Sequence, residues 1–171
     1  SGRLILGVGV GWMEAEFIAT DASLKTRGSV TNETIEFFRE CFANDIVSYK
    51  EQQFIFSPRP NRPPILIGGN QNAAIERVMN YGDGWMPMIK DHDSLISECQ
   101  DLQRRRREEG KDKAIIIPLL ALDFSDLPKI VDQLSVLEEA GCTGIEHFQS
   151  SKTEYDFNST VDYLAEIKSK L

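Results

Sequence analysis

The apolar residues follow two different spacings, and their alternation predicts the elements of the chain. Five short runs are apolar at nearly every position, which is typical of parallel strands covered on both faces. The predicted strands cover residues 3–10, 64–67, 84–88, 114–122 and 142–147. Between them, apolar residues recur three and four positions apart, which predicts amphipathic helices. The predicted helices cover residues 27–43, 74–79, 92–109, 127–137 and 157–171.

One segment departs from this strand–helix order. Ile46–Tyr49 and Phe54–Phe56 predict the strands of a β-hairpin, with Lys50–Gln53 between them. The proline-rich residues 57–64 then predict an extended connector, because a proline disfavours helix in the residue before it. A hairpin therefore lies between the first helix and the second main strand.

Five strands, each followed by a helix, predict an α/β fold with a parallel sheet and right-handed crossovers. Two architectures meet this description, an open doubly wound sheet and part of a (β/α)8 barrel. A whole barrel takes about 250 residues, so the chain is about three βα units short of one. The spacing of apolar residues does not choose between the two. With 171 residues, the chain is expected to form one domain, residues 1–171.

Charge and composition narrow the classes of partner. A net charge of −8 argues against nucleic acid and against an anionic membrane surface. No apolar run approaches the ~20 residues that span a bilayer. No signal peptide is visible, so we expect a cytoplasmic protein whose three cysteines, Cys41, Cys99 and Cys142, are reduced and buried. The two histidines have no neighbours at ligand spacing, so no metal site is expected.

The chemistry of the chain is concentrated where the second main strand ends. Gly68, Gly69 and Asn70 are followed at once by a helix, with Gln71 and Asn72 as further side-chain donors. Glycines allow close approach to the backbone, and a helix N-terminus presents unpaired N–H groups with a partial positive charge. These properties suit a phosphate group. The alternative is a tight turn in which Asn70 is only a helix N-cap.

Three stretches together carry a resemblance to a known family. They are Leu6–Trp12 with Glu16-Phe17 and Arg27-Gly28, then Pro63–Asn70, then Gly82–Trp85. Their order and spacing, with the hairpin and the proline connector between them, resemble luciferase-like monooxygenases and in particular the F420-dependent branch. The resemblance covers roughly residues 2–125.

The resemblance implies a fold and an activity. The chain would hold strands four to eight of a TIM barrel, with the first three strands upstream of Ser1. Its activity would be F420-dependent hydride transfer on a small organic substrate. FMN-dependent monooxygenation is the alternative, and a non-catalytic flavin-binding or structural remnant is a rival. Strands with unpaired edges would make the chain a homo-oligomer.

The resemblance also assigns site residues. The loop at Gly68–Asn72 would hold the phosphate of F420 or FMN. Gly9, Gly11 and Trp12 would lie at the mouth of a strand and form a wall against the flat ring of the cofactor. Trp12 and Met13 stand where sugar-phosphate-oxidising members carry Glu and many members carry Asn, so that specificity is not implied. No catalytic residue is assigned.

Several other features have a mainly structural interpretation. Glu14 and Glu16 are expected to lie in solvent on a short helix, although either could act as a general acid or base. Arg27 is expected to pair with a carboxylate such as Glu33. Arg104–Arg107 are expected to form a solvated helix face. His147 and Asp83 are expected to have structural roles, Asp83 through backbone turn bonds.

Overall fold

A computed structural model describes residues 2–70, 72–88, 91–149 and 153–171. The chain forms two compact units, residues 1–84 and 85–171. No helix among the described residues is both long enough and apolar enough to cross a membrane.

The first unit is built on two parallel strands. β1 (Leu6–Val8) pairs with β4 (Ile65–Gly68) so that Leu6 lies opposite Ile65 and Val8 opposite Ile67. The helices of this unit are α1 (Glu14–Ala19), α2 (Arg27–Ala43) and α3 (Asn72–Tyr81). Because its first three residues are buried, β4 forms the centre of this unit's core.

The predicted hairpin is present, but its turn is tighter than expected. β2 (Ile46–Tyr49) pairs antiparallel with β3 (Gln52–Ile55), and only Lys50 and Glu51 lie between them. Both have positive φ, 46° and 64°, as a two-residue turn that matches the twist of a hairpin requires. The strand therefore begins at Gln52 rather than at Phe54. Phe37 of α2 packs against the rings of Tyr49 and Phe54, which fixes the hairpin on that helix.

The second unit also contains parallel strands, all of them short. β5 (Gly84–Met86) begins at the last residue of the first unit. The elements after it are α4 (His92–Glu108), β6 (Ile115–Ile116), β7 (Leu119–Leu120), α5 (Leu127–Glu139), β8 (Glu146–His147) and α6 (Glu154–Lys168). Ile117 donates its N–H to the carbonyl of Trp85, and Thr143 donates to that of Ile116. β7 and β8 are parallel. In this unit β5 lies next to β6, whereas the last strand, β8, pairs with β7.

The predicted strand over residues 114–122 is divided. β6 and β7 are separated by Ile117 and Pro118, and Pro118 has no N–H to donate to a neighbouring strand. β7 and β8 consequently form their own two-stranded sheet. The first strand is also shorter than predicted, three residues in place of the run 3–10. An α/β fold with parallel strands is confirmed.

The five predicted helices begin and end within three residues of their predicted bounds. α2 covers residues 27–43 as predicted. Asp91 accepts the N–H of Ser94 at 2.8 Å at the start of α4, and Asp126 accepts that of Lys129 at the start of α5. Thr153 and Asp156 form a reciprocal capping box at the start of α6.

Candidate functional site

A cavity of about 500 Å³ lies within the first unit, at the ends of its two parallel strands. The loop after β1 and the loop after β4 form two of its walls, and the starts of α2 and α3 form the others. Its lining consists of Val10, Gly11, Trp12, Lys25, Arg27, Gly28, Gly68, Gly69, Asn70, Ala73, Ala74 and Arg77. Two segments far apart in sequence therefore meet at one site.

Two glycines of this lining are required by the backbone. Gly69 has φ +120°, and a Cβ built there would lie 3.3 Å from the Cβ of Ala74. Gly11 has φ +76°, and a Cβ there would lie 3.0 Å from the ring of Phe17. Side chains rarely adopt such φ values. Both loops therefore expose bare backbone to the cavity, which leaves room for a ligand to approach closely.

The electrostatic character of the cavity is positive. Lys25, Arg27 and Arg77 line it, and no carboxylate does so among the described residues. Such an arrangement is unexpected in a chain with a net charge of −8. Three cations gathered without an acidic partner around exposed glycine backbone favour an anionic ligand.

Arg77 is the most constrained of the three cations. Its side chain is 8% exposed, and its Nε donates to Oδ1 of Asn32 at 2.6 Å. Longer bonds of 3.4 Å reach the carbonyls of Ala73 and Gly28. Burial lowers the pKa of this guanidinium from its ordinary value. Among the residues that the structure describes, no carboxylate pairs with Arg77, and because an unpaired buried cation is costly, a bound anion would stabilise it.

Lys25 and Arg27 place positive charge at the N-terminus of α2, where a basic residue is unfavourable. Arg27 is the first residue of α2, where the helix dipole already places partial positive charge, and the first turn contains no acidic residue. The expected ion pair with Glu33 is not formed. Instead, Arg27 donates to the carbonyl of Leu24 at 2.6 Å, and no ion pair of Arg27 is found within the described part of the chain. An anion in the cavity would offset this local excess of positive charge.

Some of the predicted site residues line the cavity and others do not. Gly11, Trp12, Gly68, Gly69 and Asn70 line the same cavity, whereas Gly9 and Asn72 do not. Gln71 lies outside the described residues.

Lys25 and Arg27 also line the cavity, although the sequence prediction did not place them with the glycine loop. The available signal was basic charge placed at a helix N-terminus, against the helix dipole.

Trp12 is the large aromatic residue of the lining, and it is 79% exposed. An exposed indole at the edge of a polar cavity is available for stacking against a flat ring. Glu14 and Glu16 lie close in sequence but occupy the exposed first turn of α1 and do not line the cavity. Their expected position in solvent is confirmed.

Other charged and histidine residues have structural contacts. Arg104 pairs with Asp101 and Glu108 on an exposed face, as predicted. Arg106 departs from that prediction, since it is buried and donates to the carbonyl of Asp112 at 2.6 Å. Nδ1 of His147 accepts the N–H of Leu122, and its Nε2 is 3.0 Å from Oε1 of Gln149. Both ring nitrogens are therefore occupied by internal bonds.

Comparisons with known proteins found a matching family and several similar sequences. A family model described as luciferase-like monooxygenase matches residues 1–123. Uncharacterized proteins of Mycobacterium tuberculosis and Mycobacterium bovis are 24% identical over 174 aligned residues, which cover 96% of this chain. The chain spans 59% of the length of these curated relatives.

A solved structure has a similar fold. It is an F420-dependent secondary alcohol dehydrogenase in complex with an F420–acetone adduct, and it aligns with a TM-score of 0.76 over 97% of this chain and 69% of that chain. The sequence identity is 18%, so the similarity concerns the fold.

Proposed function

Because the chain belongs to the luciferase-like monooxygenase family, we propose that it forms the cofactor-phosphate side of an F420-dependent oxidoreductase. In this proposal its strands correspond to strands four to eight of a TIM barrel. The substrate of the whole protein would be a small organic molecule, and F420 would supply the hydride chemistry. The residues of this chain would bind and orient the cofactor.

The positive cavity is the observation that carries the proposal. F420 has an acidic tail with a phosphate, so it needs cations and exposed backbone N–H groups. Lys25, Arg27 and Arg77 would supply the cations, and the Gly68-Gly69-Asn70 loop would supply the backbone approach. A volume of about 500 Å³ accommodates a phosphate and part of the group it carries.

The ring of the cofactor would lie towards the loop that follows β1. Gly11 leaves the backbone bare there, and Trp12 presents an exposed indole. An aromatic contact of this kind contributes about 0.5–1.5 kcal/mol beyond buried area. In this proposal Gly9 and Asn72 support the two loops without lining the cavity.

FMN is the second candidate, since its phosphate has the same needs and its ring is equally flat. F420 is preferred because three cations suit an acidic tail as well as a phosphate. The similarity of the fold to that of an F420-dependent enzyme also supports F420 in this proposal. The alternative of a different kind is that the chain is a non-catalytic remnant that binds neither cofactor.

Equilibrium dialysis of the 171-residue chain against F420 and against FMN separates these alternatives. The proposal predicts binding of F420, weaker binding of FMN, and competition between F420 and inorganic phosphate. Tighter binding of FMN would reassign the cofactor. If the folded chain retains neither compound at millimolar concentration, it does not form the phosphate side of a cofactor site. The hypothesis that the chain is a remnant that binds neither cofactor would then be correct.

A further inference from the structure

Two cysteines of the second unit are in direct contact. Sγ of Cys99 on α4 lies 3.6 Å from Sγ of Cys142, which precedes β8. The two residues are 43 positions apart in sequence, so the fold alone brings them together. Cys99 is fully buried and Cys142 is 7% exposed. The remaining cysteine, Cys41, is also buried, on α2 of the first unit, and it makes no sulfur–sulfur contact in the described structure.

The environment distinguishes the two thiols chemically. The contact with Cys99, in which either sulfur can be the donor, lowers the pKa of Cys142, because a neighbouring S–H group stabilises a thiolate. The same bond and burial raise the pKa of Cys99, which keeps this residue protonated. The thiolate is the nucleophilic form of cysteine, so Cys142 is the more reactive member.

Access is also unequal. A cavity of about 190 Å³ is lined by Cys142, Gly144 and Leu171, while Cys99 does not line it. One water needs roughly 15 Å³ of such space, so a molecule the size of hydrogen peroxide fits. Of the two cysteines, Cys142 borders this cavity and the fully buried Cys99 does not, so a reagent in the cavity would lie next to Cys142.

We propose that Cys99 and Cys142 form a peroxide-oxidisable thiol pair, with Cys142 as the attacking residue and Cys99 as the resolving residue. The geometry that assigns these roles is the 3.6 Å sulfur contact together with the cavity on the Cys142 side. The product is a disulfide that links α4 to the segment before β8.

The chemistry balances with one hydroperoxide as oxidant. The Cys142 thiolate attacks one oxygen of hydrogen peroxide, an S–O bond forms, the O–O bond breaks and hydroxide leaves. The sulfur is now a sulfenic acid. The Cys99 sulfur then attacks it, an S–S bond forms, and the S–O bond breaks as water leaves with the Cys99 proton. The thiol pair loses two electrons, and the peroxide is reduced.

The test oxidises the folded 171-residue chain with hydrogen peroxide, alkylates the remaining thiols after denaturation and maps the peptides by mass. The expected product is a cross-linked peptide pair that contains Cys99 and Cys142 and lacks two hydrogen atoms, with Cys41 alkylated. A Cys41→Ser variant should form the same product at the same rate. Oxidation of Cys41 as fast as the pair, or three alkylated cysteines, would overturn the proposal.

A second measurement separates the two roles and does not depend on one variant. In Cys99→Ser and in Cys99→Ala, the oxidised Cys142 has no resolving partner, so dimedone should trap a sulfenic acid there. In Cys142→Ser, Cys99 should remain unlabelled, since peroxide does not reach it. Equal dimedone labelling of Cys99 and Cys142 in these variants would show that the assigned order of attack is wrong.

Discussion

Arg62 and Asp83 form a two-pronged ion pair, with nitrogen–oxygen distances of 2.6 and 2.8 Å. Asp83 also accepts the N–H of Ile65, the first residue of β4, at 2.8 Å. Asp83 thus has a structural role, as expected, but its backbone partner lies 18 positions away in sequence and not within its own turn. Through these bonds the turn after α3 holds the start of the strand that carries the glycine loop.

Replacing this carboxylate should lower stability and change its dependence on pH. Burial disfavours the charge of Asp83, but the bonds from Arg62 and Ile65 outweigh it, so its pKa lies below the ordinary 3.8. A lowered carboxyl pKa stabilises the fold above the unfolded value, and this stabilisation is lost as the pH falls through the folded value. Asp83→Asn should reduce the free energy of unfolding at pH 7 by about 1–3 kcal/mol.

Urea unfolding from pH 7 down to pH 2 measures this effect. The variant should lose less stability than the wild type over the acid range, because one titrating group is gone. Asp45→Asn is the control, since Asp45 pairs with Arg59 at 3.5 Å in an exposed position and should change stability by only about 0–1 kcal/mol. Parallel pH profiles for wild type and Asp83→Asn would contradict the assignment.

Arg77 should contribute to cofactor affinity chiefly through charge. Arg77→Met keeps much of the side-chain volume in its buried position but removes the cation. We expect F420 affinity to fall at least about tenfold, which is 1.4 kcal/mol. The salt dependence of binding should also decrease, because one charge contact is lost.

Fluorescence titration of F420 at two salt concentrations tests this expectation. Arg39→Met is the matched control, since Arg39 is exposed, makes a long bond of 3.4 Å to the carbonyl of Asn80 and does not line the cavity. A smaller salt dependence in the Arg39 variant than in the Arg77 variant would show that the cavity charge is not what binds the tail.

Trp12 should affect the cofactor ring and leave stability unchanged. Because the side chain is 79% exposed, Trp12→Ala should not alter the urea midpoint. Loss of an aromatic contact should weaken F420 binding by about 0.5–1.5 kcal/mol. Ile18→Ala removes another exposed apolar side chain, 70% exposed, and should leave affinity unchanged. Equal affinities for the Trp12 variant and the wild type would remove the ring-wall assignment.

The sequence predicted the order of elements well because that order depends on local spacing. The aromatic residues of α2 fixed its bounds at 27–43, and the glycine loop after Ile67 marked the site. It did not predict that Lys25 and Arg27 join Arg77, because that meeting depends on how β1 and β4 pair. Arg106 was misassigned for a different reason: helix spacing places it on the apolar face with Leu102, but its charge favoured a position in solvent.

Self-association remains a prediction, with a revised basis. Ile65 and Ile116, on two of the central strands, are both fully buried and present no apolar surface to a second copy. Leu4 and Ile5 are exposed, and β1 pairs with a neighbour on one side only among the described strands. An unpaired strand edge flanked by exposed apolar residues favours association with a second copy.

Light scattering on the 171-residue chain measures this directly. We expect a mass of at least a dimer, and Ile5→Lys beside the edge should shift the population towards monomer. A wild-type chain that stays monomeric at high concentration would contradict the prediction.

The central claim is that the glycine loop after β4 holds the phosphate of a deazaflavin cofactor, and Gly69 tests it most directly. Gly69→Val places a branched side chain at φ +120° against Ala74, within the cavity lining. Gly110→Val is the control for backbone strain, because Gly110 also has positive φ, +68°, but has open space around it and lies outside that lining.

The measurement is a fluorescence titration of F420 into the wild type and both variants, each shown to be folded by circular dichroism. We predict that Gly69→Val weakens binding at least about tenfold, or 1.4 kcal/mol, while Gly110→Val binds as the wild type does. Unchanged affinity of the folded Gly69→Val variant would contradict the account.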